Sequence, residues 1–351
     1  MEKKYDLVTY GEAMVRFSPL NNARLEQSAE FSLAIAAGEL NVAVNVSRLG
    51  LKTAWISKMV DTWSGHYVIN KGREHGVDMS GVQLIPFDGR GNIRNGLCFV
   101  EVGVGPRPNR QIYDRGHSAI SSAKLGEFDW KSIMAQTRWY HTTGISTAIS
   151  QDVIDNVIES LKVAKEMGVR TSFDLNFRST LWTPAKAQET MKKVMPYVDF
   201  IIGNEEDFET MLGIKSQHGA GNYAAIDPEK YRSVAEQCIE QYPNVEAVGP
   251  TLRDAKTGKL NDWQTVMMYK GEYNVSRKYE NLEIVDRTGG GDSFASALIY
   301  NFMVEEKSPQ DIIDFSAAYS ALCHGFLGDW NWAYKEEAEK VMKGGGARVI
   351  R

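Results

Sequence analysis

Short apolar runs alternate along this chain with longer segments whose apolar residues recur three and four positions apart. Asp6 to Tyr10, Thr53 to Ser57, Arg170 to Asp174, Asp199 to Ile202 and Glu246 to Val248 read as buried strands. Leu40 to Leu49, Val153 to Met167 and Ala187 to Met195 carry the period of an amphipathic helix. Strand followed by helix, repeated, predicts an α/β fold of Rossmann type, in which a mostly parallel sheet is covered by helices on both faces to make three layers.

Two stretches break that rhythm. Met14 to Ser32 and Gly89 to Ser118 read as irregular strands bounded by glycine and proline, with Leu97 and Phe99 among them. They are expected to form a small β-sheet lid of residues 14–32 and 89–118, leaving 1–13, 33–88 and 119–351 for the core. Lys215 to Asp227, with Gly219 and Gly221, reads as a surface excursion after a helix.

Composition narrows the function classes. With 351 residues, 43% of them hydrophobic and 24% charged, the chain has the makings of an ordinary globular enzyme. Its formal charge is −5 and no dense Lys/Arg tract occurs, so nucleic acid and anionic membrane are poor partners and small molecules are favoured. The apolar stretch before Gly11 is too short for a signal segment or a spanning helix. Cys98, Cys238 and Cys323 are odd in number and far apart, which suits a reducing cytoplasm.

The chemistry concentrates in Asp286-Arg287-Thr288-Gly289-Gly290-Gly291-Asp292, between the strand-like Leu282–Val285 and the helical run Ser293–Met303. Three glycines entering a helix let the backbone turn tightly and aim successive N–H groups at one spot, where the helix dipole adds to the attraction for phosphate. Asp292 at the mouth of that helix would stand beside a bound γ-phosphate, placed to take the proton of an attacking hydroxyl. An aspartate capping a helix after glycines satisfies the same pattern with no chemistry at all.

Other segments decide between these readings. The corner resembles the C-terminal signature of the PfkB (ribokinase-like) carbohydrate kinases, Asp-x-x-Gly-x-Gly-Asp. Gly38-Glu39-Leu40-Asn41-Val42-Ala43 is similar to that family's N-terminal sugar-contacting pattern, and Asn204-Glu205-Glu206-Asp207 to its Asn-x-x-Glu segment, here with Asp207 for Glu. The resemblance implies a ribokinase-like fold and phosphoryl transfer from ATP to a sugar hydroxyl. Asp292 would then be the base and Gly289, Gly290 and Gly291 the anion hole. Gly38 and Asn41 would contact the sugar, and Asn204 and Asp207 would order Mg²⁺ through water. Thr251 and Arg253 would lie under the phosphates and Ala318 at the adenine wall. Asp286 would hold a monovalent cation, usually potassium. From chemistry alone the Asn204–Asp207 segment is equally an acidic first turn that complements a helix dipole.

Within the family, Gly11–Pro19, Tyr113–Ala119 and Phe173–Arg178 resemble the branch that phosphorylates 2-keto-3-deoxygluconate on its 6-hydroxyl. A sugar acid carries a carboxylate, which a planar guanidinium pairs with bidentately, so Arg115 and Arg178, with Tyr113 nearby, are the expected acid-selective residues. The alternatives are a fructokinase or ribokinase acting on a neutral sugar and a non-catalytic nucleotide or sugar sensor. A dinucleotide oxidoreductase is disfavoured, since no Gly-x-Gly-x-x-Gly follows the first strand. The lid strands would leave edges that a second lid could cover, giving a homodimer.

Overall fold

The computed structural model describes residues 3–215, 227–304 and 307–345. From the amino terminus the chain forms strands β1 (Tyr5–Tyr10), β2 (Ala13–Pro19) and β3 (Phe31–Ala37), helix α1 (Glu39–Arg48), strand β4 (Thr53–Val60) and helix α2 (Trp63–Glu74). Strands β5 (Val82–Ile85), β6 (Leu97–Glu101) and β7 (Arg110–Asp114) follow. Then come helix α3 (Trp130–Ala135), strand β8 (Thr137–Thr143), helix α4 (Gln151–Glu166), strand β9 (Arg170–Asp174), helix α5 (Pro184–Val194), strand β10 (Phe200–Asn204) and helices α6 (Glu205–Leu212) and α7 (Glu229–Gln241). Strands β11 (Ala247–Thr257), β12 (Leu260–Tyr269), β13 (Glu272–Val275) and β14 (Tyr279–Glu283) precede helices α8 (Gly290–Met303), α9 (Pro309–Cys323) and α10 (Lys335–Met342).

The central strands are apolar on both sides, and successive residues enter different cores. Val8, Tyr140, Ile201 and Val248 join Val157 of α4, Met191 of α5, Phe208 of α6 and Val234 of α7. Their neighbours Leu7, Trp139, Ile202 and Ala247 join Val42 of α1, Phe294 of α8 and Ile313 of α9. That division makes the three layers. Local signals set the helix ends: the Ser150 and Thr183 hydroxyls accept from Val153 and Lys186 N–H at the starts of α4 and α5, and left-handed Gly213 closes α6.

The main sheet runs β13-β12-β11-β10-β9-β8-β1-β4-β5, with β14 on β12. It is parallel from β11 to β5 and antiparallel beyond β11. The chain passes from β1 to β4 on one side and from β8 to β9 on the other, so β1 and β8 flank the point where strand order reverses. Crevices open at the carboxyl ends of strands at such a point.

A second sheet, ordered β3-β2-β6-β7, stands beside those carboxyl ends. It departs from the expected boundaries: residues 33–37, assigned to the core from sequence, belong to strand β3. The reason is an antiparallel ladder with β2 that is unbroken from Ala13 opposite Ala37 to Pro19 opposite Phe31. The polar segment Asp254 to Asn261 is strand through Thr257 and resumes at Leu260, because pairing with β12 satisfies its backbone despite its polar side chains. The excursion expected at Lys215–Asp227 lies outside the described residues apart from its two ends.

Phe173, fully buried in β9 one residue before the cleft, tests this scaffold. Phe173→Ala is expected to lower stability by about 3–5 kcal/mol, read as a lower urea midpoint at unchanged slope.

Candidate active site

The carboxyl ends of β1, β8, β9 and β10, the middle of β11, the second sheet and the mouth of α8 enclose a cleft of about 570 Å³, ample for a small ligand. Its lining includes Gly38, Tyr113, Arg115, Arg178, Asn204, Asp207, Thr251, Arg253, Gly289, Gly290, Gly291 and Asp292. Residues spread over more than 250 positions of sequence are thus gathered in one place.

The glycine corner is built for close approach. Gly289 has φ of 82°, and a Cβ there would lie 2.0 Å from the Asp329 carbonyl oxygen. A Cβ on Gly290 would meet the His324 ring at 2.8 Å, whereas at Gly291 nothing lies within 4 Å. The first two glycines therefore let the backbone pack, and the third leaves the cleft side open. Arg253 and Arg287 line the cleft at the same corner. Burial, and then the charge of Arg253, push the Arg287 guanidinium below its usual pKa. Two cations brought together at a helix mouth suit a polyanion such as a nucleotide triphosphate.

Asp292 is nearly buried, and its Oδ2 accepts a 2.7 Å hydrogen bond from Asn41 Nδ2. Burial raises its carboxyl well above the usual range; the Asn41 bond lowers it, while the charges of Asp174 and Asp329 raise it again. Asp174, at the end of β9, is pushed up to about 7, first by burial and then by Asp207. Carboxyl groups shifted this way by burial and like charge, in a cleft, are the groups expected to exchange protons near neutral pH.

Asn41 corrects one expectation. It is fully buried and does not line the cleft. Its amide nitrogen donates to Asp292 and to the Ala37 carbonyl at 2.6 Å, and its Oδ1 accepts from Trp330 Nε1 at 2.8 Å. Asn41 thus orients Asp292 rather than facing a sugar. Ala318 corrects another: it is fully buried in α9 and absent from the cleft wall, to which His324, just past that helix, contributes instead.

On the opposite wall Arg115 lies with its guanidinium 4.8 Å over the Tyr113 ring and Nη1 3.4 Å from Glu12 Oε2. Within the described residues neither Glu12 oxygen makes a hydrogen bond, nor do Nε and Nη1 of Arg115. Buried polar atoms left open at a cleft are ready for a ligand. Arg178 donates from Nη1 to the Phe177 carbonyl at 2.9 Å and also lines the cleft.

Among the described residues there is no cluster of three or more His, Cys, Asp or Glu side chains able to hold a metal ion. Asn204 caps α6 by accepting from Glu206 and Asp207 N–H at 2.9 and 3.2 Å, and the Asp207 oxygens accept from Asn204 and Phe177 N–H at 2.9 and 3.0 Å. Each Asp207 oxygen keeps an acceptor site beyond its single backbone donor. That donor set fits a hydrated Mg²⁺ carried by ligand phosphates better than a protein cage. Asp286 does not fit a monovalent cation. Its Oδ1 accepts from Thr288 N and Oγ1 at 3.1 and 2.7 Å, and its Oδ2 from Gly328 N at 3.2 Å and from the Arg16 guanidinium.

Sequence reasoning missed Arg16, Asp174, Asp329 and Trp330. Arg16 sits in an alternating strand, where a charge reads as solvent-facing; only the tertiary fold encloses it. His141, inside the central strand β8, is a buried structural residue: Nδ1 lies 2.8 Å from Ser172 Oγ, and burial lowers its pKa to about 3.

Residues 4–328 match the pfkB family carbohydrate kinases, and the chain belongs to that family. It is a phosphotransferase with an alcohol group as acceptor. The chain is 37% identical to the solved 2-dehydro-3-deoxygluconokinase of Thermotoga maritima, with a TM-score of 0.90 over 97% of this chain and 100% of that one. It is 30% identical to the 2-dehydro-3-deoxygalactonokinase of Haloferax volcanii over 99% of both chains. With the 2-dehydro-3-deoxygluconokinase of Thermoproteus tenax it shares 26% identity over 97% of this chain and 95% of the other.

Asn41→Ala should leave the Trp330 N–H without its acceptor and Asp292 without its donor, at about 1–3 kcal/mol for each stranded group by urea melting. Because the lost bond favoured ionised Asp292, the acid limb of kcat/KM should move to higher pH.

Proposed function

We propose that this kinase transfers the γ-phosphoryl group of ATP to the terminal 6-hydroxyl of 2-keto-3-deoxygluconate. One observation carries the reading: a buried carboxylate, Asp292, shares a cleft with an open glycine corner on one side and two arginines, Arg115 and Arg178, on the other. A neutral sugar would require neither arginine. Relatives named for gluconate and for galactonate derivatives share the acid function, so the epimer is the second reading the comparisons favour.

In this mechanism Arg115 and Arg178 hold the substrate carboxylate, and Glu12 and Tyr113 complete that end of the pocket. Asp292, kept rigid by Asn41, accepts the proton of the 6-hydroxyl as it attacks. The N–H groups of the Gly289–Gly291 corner, with Arg253 and Arg287, stabilise charge on the transferring phosphoryl group. Asn204 and Asp207 would hold Mg²⁺ through water, and the ion would supply neutralising charge at the phosphates. The second sheet, as a lid, excludes water from the reaction.

The outer strands of that lid, β3 and β7, expose Phe31, Leu33 and Ile112, and a homodimer joined through the lids would cover them. Among the described residues no helix is long and apolar enough to cross a membrane, and a cytoplasmic site of action is part of the proposal.

Coupled ADP-release assays with 2-keto-3-deoxygluconate, 2-keto-3-deoxygalactonate, fructose and ribose should show turnover with a 2-keto-3-deoxy acid; preference for fructose or ribose would overturn the reading. Asp292→Asn should cut kcat by about 10²–10⁴-fold with MgATP binding retained, as loss of a general base requires. Arg178→Ala should raise KM for the acid by about tenfold or more without affecting any neutral sugar that is turned over. A raised Asp292 pKa means the proton persists further up the scale, so kcat/KM should climb with pH through a midpoint above the usual carboxylate range; a profile flat across that range would argue against Asp292 as base. Light scattering should give twice the chain mass.

A further inference from the structure

Arg16, on the lid strand β2, reaches out of its own sheet into the segments that build the glycine corner. Its side chain is buried. Nη2 donates to Asp286, and Nη1 donates to Asp329 Oδ1 and Thr288 Oγ1, both at 2.6 Å. Nε donates to Ser18 Oγ at 3.0 Å, so every nitrogen of the guanidinium is engaged. Burial alone would weaken its hold on the proton, but Asp329 and Asp286 more than offset that, and its pKa lies above the ordinary arginine value.

The carboxylates it joins bracket the corner. Asp286 stands three residues before Gly289, and Asp329 is the residue whose carbonyl packs where a Gly289 Cβ would be. A potassium ion shaping the corner from Asp286 would need several oxygen ligands in that space. The Asp286 oxygens are already committed, and the guanidinium would repel a second cation placed beside it.

We infer that Arg16 is a built-in cation of the phosphate corner, taking the position a monovalent metal ion would otherwise fill, so that the corner forms without potassium. The inference rests on the corner being the phosphate site proposed above. Arg16 is a positioning residue, since it touches the segments carrying the glycines and does not line the cleft.

The test uses the whole protein in choline, sodium and potassium chloride at equal ionic strength, measuring the affinity for magnesium AMP-PNP by calorimetry and turnover with 2-keto-3-deoxygluconate. Both should agree across the three salts to within about twofold; a potassium-specific gain of about tenfold or more in either would overturn the inference. Turnover absent with every sugar acid would count against the substrate proposed above, while the calorimetric series would still decide the role of Arg16. Arg16→Ala should lose about tenfold or more in nucleotide affinity and recover part of it in potassium or dilute guanidinium chloride but not in choline chloride. A structural defect alone would not answer to the size of the cation. Unchanged affinity in folded Arg16→Ala, or loss of affinity that no small cation restores, would also overturn it. If that variant does not melt cooperatively, the wild-type salt series decides alone.

Discussion

Asp286, Asp292 and Asp329 are buried around one helix mouth, at the place proposed to receive phosphate. Carboxylates deprived of water repel one another and repel an incoming anion, and an unpaired buried charge is costly. The surrounding arrangement answers that difficulty. Arg16 neutralises the pair Asp286 and Asp329, Asn41 gives Asp292 a neutral donor, and the α8 amino terminus with Arg253 and Arg287 restores a positive field on the cleft side. In the proposed mechanism, charge that would be ruinous if spread at random becomes a proton acceptor next to an anion cradle.

The placement of those groups depends on the parallel sheet. Its strands are largely apolar on both faces because helices cover both, and the polar groups that face the cleft gather toward the strand ends. Glu12, Asp174 and Asn204 stand at or just past the carboxyl ends of β1, β9 and β10, and Thr251 lies in β11 opposite the last residue of β10. The reversal of strand order between β1 and β8 leaves a gap there, and the second sheet roofs it with Met14, Ala36, Cys98 and Tyr113. Rigid core and functional rim are therefore two consequences of one topology.

Much of this was legible in the chain. Apolar periodicity located the central strands and helices, since burial on one or two faces imposes a fixed repeat. The Asp286–Asp292 run announced a tight glycine corner, because glycine is needed where a Cβ would collide with neighbouring backbone. Arg115 and Arg178 were expected in the site from chemistry plus resemblance, and both line the cleft. Less was legible where long-range pairing overrides local character. Residues 33–37 and Asp254–Thr257 became strand through ladders with partners that local propensity does not reveal.

The sequence by itself determined the α/β class, the glycine corner and the place of Asp292 at the mouth of its helix, because each follows from local sterics and from side-chain chemistry within a few residues. Only the tertiary structure decided what Asn41, Arg16, Asp329 and Trp330 do. Asn41 changes from an expected sugar contact to the residue that orients Asp292, and Asp286 from an expected ion ligand to the partner of Arg16. These roles arise from hydrogen bonds between residues some 250 to 310 positions apart. Such bonds are short-ranged and directional, so they exist only once packing has brought both partners to the same few ångströms.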